Sequence, residues 1–240
     1  MCFHIHSILN KKSKSFVEDL FSAEMQDDSP VSYHHVNGFQ HPLLMIITQE
    51  APHVIQRATW SIAPPSYFDI ENYWKTKGGS TLNTRDDSLF TEKAAGWKSE
   101  AALHRKCIVL VSGYFEPHKV ANVSYPYLLH RSDFELFGLV GIYTKQRDHS
   151  LTFSVLTTKA DDFLARVHNA AKRMPMSVLP EDKDSVLSIT TEEHLKKEFQ
   201  IGYSVPLQAK AVHRDILNSR IDTNNDKYVT DIFHPIFTDF

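Results

Sequence analysis

The sequence predicts an α+β fold: one β-rich domain over residues 1–240, built on an antiparallel, partly closed sheet with flanking helices. Three observations lead there. Runs rich in β-branched and aromatic residues fill the middle of the chain, and amphipathic segments of helical spacing lie beside them. No regular strand–helix alternation of the kind that builds a parallel sheet is visible. Glycine is scarce, at 8 residues in 240, and no low-complexity tract divides the chain, so a second domain is not expected.

In chain order, residues 14–24 read as an amphipathic helix and residues 43–48 (LLMIIT) as a strand. Residues 107–112, 125–130, 136–143 and 151–157 continue the strand pattern. Residues 159–167 return to helical spacing. Residues 182–187 open after a proline and suit a short helix, and Thr190 or Thr191 is placed to cap another over residues 191–198.

Composition narrows the function. Hydrophobic residues make up 42% and charged residues 23%, the balance of a soluble globular chain. No run of 18 apolar residues is present, which removes a spanning helix and predicts no membrane partner. The opening MCFHIHSILNKKSK has too short an apolar part, followed and not preceded by basic residues, so it does not read as a secretory signal. A reducing, cytoplasmic location is expected, with Cys2 and Cys107 as free thiols. The formal net charge of −3 excludes bulk electrostatic attraction to nucleic acid. Any DNA contact must come from a local cluster of Arg and Lys.

Four segments could carry chemistry. Met1 precedes Cys2, a residue small enough for aminopeptidase removal of the methionine. An exposed Cys2 would present amine and thiol on adjacent carbons, a pair that condenses with an aldehyde to an imine and then a thiazolidine. Asn83 and Arg85 are two apart, hence on one face if they lie on a strand, and offer a donor–acceptor pair and a phosphate fork. Read alone, the same segment suits a polar loop. An apolar strand ends at Gly113, followed by Tyr114, Phe115 and Glu116, a carboxylate able to act as acid or base. Cys107 at the head of that strand reads as core. His168, Lys172 and Arg173 follow the helix over 159–167 and suit either proton transfer with phosphate contacts or a helix end favoured by its dipole.

Taken together, Met-Cys, Asn-x-Arg, Gly-Tyr-Phe-Glu, Thr157-Thr158-Lys159-Ala160 and His168-x(4)-Arg173-Met174-Pro175, with Trp60-Ser61-Ile62-Ala63-Pro64 between the first two, resemble the SOS-response-associated, abasic-site-processing (SRAP) family. The resemblance implies a β-rich fold, a partner in single-stranded DNA carrying abasic sites, a covalent thiazolidine link and no cofactor. It implies Cys2 as nucleophile, Asn83 as its orienter, Glu116 as proton shuttle and His168 as the group that opens the sugar or reverses the link. Arg85 and Arg173, or Lys172, would grip phosphates, and Trp60 would lie near the DNA groove. A monomer is expected.

The chain departs from the family at several points. Phe3 and His4 follow Cys2 where the family has Gly-Arg, Pro117 replaces a Trp, His168 stands five residues before Arg173 instead of two, and Asp86-Asp87 follow Arg85 in place of Glu-Thr. Three other readings compete. Cys2, His4 and His6 with His34 and His35 could bind Zn²⁺, Cys2 with Glu116 and His168 could form an autopeptidase, and the chain could be a DNA-binding module without chemistry.

Overall fold

The structure, a computed structural model, describes residues 2–9, 12–133, 135–201, 205–230 and 232. The first part runs β1 (His4–Ser7), α1 (Lys14–Phe21), β2 (Glu24–Met25), β3 (Tyr33–Asn37), β4 (Leu43–Thr48), β5 (Val54–Trp60), α2 (Ile70–Lys77), β6 (Asn83–Arg85), α3 (Asp86–Leu89) and α4 (Gly96–His104). It continues with β7 (Lys106–Val111), β8 (Gly113–Val120), β9 (Val123–His130), β10 (Phe137–Lys145), β11 (Leu151–Lys159), α5 (Asp162–Val167), β12 (Arg173–Pro175), β13 (Ser177–Val178), α6 (Lys183–Leu187), α7 (Glu192–Ile201) and β14 (Gln208–Ala211).

The strands form two sheets. In one, β14, β9, β8, β1 and β3 lie side by side and the edges stay open. In the other, β5, β4, β7, β10 and β11 pair antiparallel in succession, and β11 returns to β5 through Thr152–Thr59 and Phe153–Trp60. That last contact is parallel. A ring with an odd number of strands cannot alternate direction throughout, so one neighbouring pair must run the same way. The expected partly closed sheet is thus a closed ring beside an open sheet.

Period-two alternation sorts the ring's side chains into two cores. Cys107, Val109 and Val111 of β7 join Leu44 and Ile46 of β4 in an inner cluster that also receives Cys2 and Ile5. Ile108 and Leu110 join Met45 and Ile47 in an outer cluster covered by Val17 and Phe21 of α1, Ala101 and Ala102 of α4, and Val186 of α6. Both faces of β7 are covered, which explains its unbroken apolar run.

Local chemistry sets the boundaries that differ from expectation. The first helix ends at Phe21 because Ser22 adopts a left-handed conformation (φ 48°), and Glu24 already pairs with β5. Strand β11 continues to Lys159, and α5 starts only after Asp161, whose carboxylate accepts from the Leu164 N–H at 2.7 Å. Thr191 caps α7 through His194 N–H. The apolar strand ends ahead of Gly113 as expected, but Gly113 starts β8, so Glu116 lies within a strand, opposite Tyr127. Pro117 faces Pro126 in that pairing, two residues that cannot donate, which is why this strand is hard to read from sequence.

Gly141 is required by the ring's tight wall. A Cβ there would sit 2.6 Å from the Ser154 carbonyl oxygen and 3.0 Å from Cys107 Sγ. Gly141→Ala should therefore force β10 and β11 apart and cost about 1–3 kcal/mol, as overpacking does. Thermal unfolding should show a midpoint lowered by several degrees; an unchanged midpoint would mean the wall can widen freely.

Candidate active site

Cys2 precedes β1, the strand wedged between β8 and β3. Its side chain is fully buried in the inner cluster, and its thiol points to the His4 carbonyl oxygen at 3.8 Å. The main chain is held on both sides: Gly38 N–H donates to the Phe3 carbonyl at 2.9 Å, and the Asn83 side-chain amide donates to the Cys2 carbonyl at 2.8 Å. Burial pushes the Cys2 thiol well above its usual range, and the Glu116 carboxylate adds to that.

Asn83 is placed by β6, which runs parallel to β11 with Asn83 opposite Val155. The Leu82 carbonyl accepts from both Val155 N–H and Trp60 Nε1. Trp60 has no exposed surface, stacks on Phe153 and packs over Gly38. The resemblance put Trp60 near the DNA groove; in this structure it is fully buried and braces the strand that carries Asn83.

Glu116 projects from β8 on the same face as Tyr114, toward the inner cluster. His168 closes the C-terminal end of α5 with its N–H on the Leu164 carbonyl, and its Nδ1 lies 3.0 Å from Glu116 Oε2, out of hydrogen-bond alignment. The extra residues between His168 and Arg173 form a turn. Lys172 N–H donates to the His168 carbonyl, Lys172 takes a left-handed conformation (φ 49°), and Asn169 fastens the turn to the Lys119 backbone at 2.9 and 2.8 Å. The longer spacing is absorbed there, and His168 still faces Glu116.

The cluster is rich in unmet polar atoms. Asn83 Oδ1, the Tyr114 hydroxyl, both Glu116 carboxylate oxygens and His168 Nδ1 are buried without a hydrogen-bond partner among the described residues. Buried polar atoms are normally paired, so such a concentration marks a place built for something else. Tyr114 belongs to the cluster: its phenol is pushed well up by burial, with Glu116 and Cys2 contributing. Sequence reading singled out its motif but not the residue, although its position two before Glu116 on a strand puts both on one face.

The expected phosphate residues form a second group. Arg85 presents a fork to Asp87, with Nε–Oδ1 at 2.9 Å and Nη2–Oδ2 at 2.5 Å. Arg173 reaches Asp86 Oδ1 at 2.6 Å, Asp87 Oδ2 at 3.3 Å and the Thr157 carbonyl. Lys172 is exposed. The residues weighed for zinc are not assembled. Cys2 faces the inner core, whereas His4 and His6 face away from it. His4 Nδ1 lies 2.9 Å from His35 Nε2, whose other nitrogen bonds Thr223, and His6 Nδ1 meets the His34 carbonyl. Among the described residues no group of three metal-binding side chains occurs, and no helix is long and apolar enough to cross a membrane.

A closed five-strand ring with an open sheet laid against it holds a buried Cys2, whose carbonyl Asn83 binds, in one cluster with Tyr114, Glu116 and His168. The family profile of the SOS response associated peptidases (SRAP) matches residues 1–219, and the chain belongs to that family. An abasic site processing protein of Saccharomyces cerevisiae is 30% identical over 127 residues, 52% of this chain and 32% of the yeast protein, so the match spans about a third of that relative. A crystal structure of a protein from Bacteroides thetaiotaomicron is similar with a TM-score of 0.75 at 22% identity, covering 97% of this chain and 100% of the other. One from Bordetella bronchiseptica gives 0.67 at 19% identity over 88% of this chain and 99% of the other. At these identities the likeness shows the shared fold.

Two outcomes follow from the burial of the site. Cys2 and Cys107 are both buried free thiols with raised titration, so the native protein should react slowly with a disulfide reagent and both thiols should appear only in denaturant. Rapid labelling of one thiol in the native state would show that solvent reaches Cys2. Burial lowers His4 to about 4 and His35 to about 3. Unfolded histidines bind protons near pH 6.5. Between those values the unfolded chain holds more protons, so stability should fall as pH drops from about 6.5 toward 4. Denaturant titrations at several pH values check this, and His4→Asn should flatten the slope.

Proposed function

We propose that this chain captures abasic sites in single-stranded DNA by forming a thiazolidine at Cys2 once Met1, which lies outside the described residues, has been removed. The observation that carries the reading is the convergence of Cys2, Asn83, Glu116 and His168, from four separate segments, into one buried cluster with unpaired polar atoms.

The chemistry fits those groups. His168 and Glu116, side by side, can move the proton that opens the lesion's sugar to its aldehyde. The Cys2 amine adds to that carbon, a proton from the Glu116–His168 pair lets water leave, and an imine remains. The thiol then adds across the C=N bond: sulfur bonds to the carbon, the nitrogen gains a hydrogen, and the ring closes with one water lost overall. Asn83 holds the Cys2 carbonyl, so amine and thiol keep one orientation. Burial and Glu116 hold the Cys2 thiol up, and sulfur attacks as the thiolate, so ring closure needs a base to take the thiol proton as the C–S bond forms and the imine nitrogen to gain one; the Glu116–His168 pair can do both. Arg85 and Arg173, near Asn83 on β6 and β12, are the groups to hold flanking phosphates.

Incubation of the processed chain with single-stranded DNA bearing one abasic site should give a slower band on a denaturing gel, with a mass equal to both components less one water. Cys2→Ser should give no stable band. Glu116→Gln should slow formation, and His168→Ala should slow formation or reversal, each by about 10²–10⁴-fold if proton transfer is their role. A stable adduct from Cys2→Ser, or from chain still carrying Met1, would refute the mechanism.

A further inference from the structure

The Asp87 carboxylate lies between two guanidinium groups. Arg85 grips both its oxygens, and Arg173 approaches one of them at 3.3 Å while binding Asp86 at 2.6 Å. This is the arrangement that two arginines would make around one phosphate. Asp86 is fixed in turn, by the Thr158 hydroxyl at 2.7 Å and by the Asp87 N–H at 2.8 Å. Arg85 and Asp87 are half exposed, whereas Arg173 and Asp86 are largely covered, so the Arg85–Asp87 pair is the part open to exchange.

We propose that Asp86 and Asp87 act as an internal stand-in for a DNA phosphate on Arg85 and Arg173, so that intact single strands bind weakly and a lesion is retained chiefly by its covalent link. The proposal rests on the reading that these arginines meet phosphates. Its physical basis is exchange. A phosphate arriving at the arginines must displace carboxylates already there, so one charged interaction replaces another with little net benefit. The displaced carboxylates stay close. Screening at physiological salt acts over about 8 Å, so they continue to repel the strand. Asp87 has room to move: it and Asp86 line an open cleft of about 320 Å³ with Phe90, Thr91, Lys196 and Phe199. The penalty falls equally on intact and damaged DNA before reaction. Only damaged DNA escapes it, because its bond to Cys2 does not depend on the arginines.

The test is equilibrium binding of an undamaged oligothymidylate to the full chain at several salt concentrations. Asp87→Asn should tighten binding about three- to tenfold and steepen the salt dependence by about 0.7 for each additional phosphate neutralised. Asp86→Asn should act in the same direction. Asp148→Asn, an equal charge change in the turn at the far end of β11, controls for net charge. In an Arg85→Ala background the tightening from Asp87→Asn should drop by more than about half, because the two residues act through one interaction. Equal tightening from Asp148→Asn, undiminished tightening without Arg85, or no tightening at all would overturn the proposal. If the abasic adduct forms but Asp87→Asn changes nothing, the stand-in alone fails. If Asp87→Asn tightens binding through Arg85 but no adduct forms, the covalent chemistry fails and the stand-in survives.

Discussion

Closure of the five-strand ring is the constraint on which the site depends. Because the ring is odd, one neighbouring pair must run parallel, and here that pair is β11 with β5. Beyond this contact, β6 lies parallel to β11 and β12 lies antiparallel to it. Asn83 and Arg85 come from the first, Arg173 from the second, and His168 from the helix that follows β11. One strand thus organises most of the polar residues argued to act, and Gly141 on its neighbour allows the close approach that closes the ring.

The open sheet supplies the remainder. β1 slots between β3 and β8, so Cys2 is carried into the buried cluster that both sheets share. The same insertion brings Cys2 to Glu116. Burying unpaired carboxylate, amide and imidazole atoms costs stability, on the order of 1–3 kcal/mol for each group. The large apolar clusters on both faces of the ring offset that cost.

Much of the ring was legible. β4, β7, β10 and β11 each lay within a residue or two of the expected runs, because strands covered on both faces read as continuous apolar segments. β8 was not, since Gly113 and Pro117 each argue against a strand interior, and Pro126 on the opposite strand makes the pairing possible without donors. The short strands β6 and β12 are too brief for periodicity to register. Among site residues, Cys2, Asn83, Glu116 and His168 were recognised by motif, but nothing local to the sequence could show that a four-residue gap before Arg173 folds into a turn that leaves His168 against Glu116.

Side-chain chemistry along the chain determined the strand-rich α+β class, the family and the capping of α7 by Thr191. Packing decided the roles of particular residues. Trp60, placed by the resemblance near the DNA groove, is a buried strut, because the Leu82 carbonyl and Gly38 receive it. Asp86 and Asp87 read from sequence as a departure beside Arg85 and are the ion-pair partners of Arg173 and Arg85, because pairing β6 and β12 with one strand, β11, places those charges within reach. Such distances depend on residues far apart in sequence and become fixed only when the ring closes.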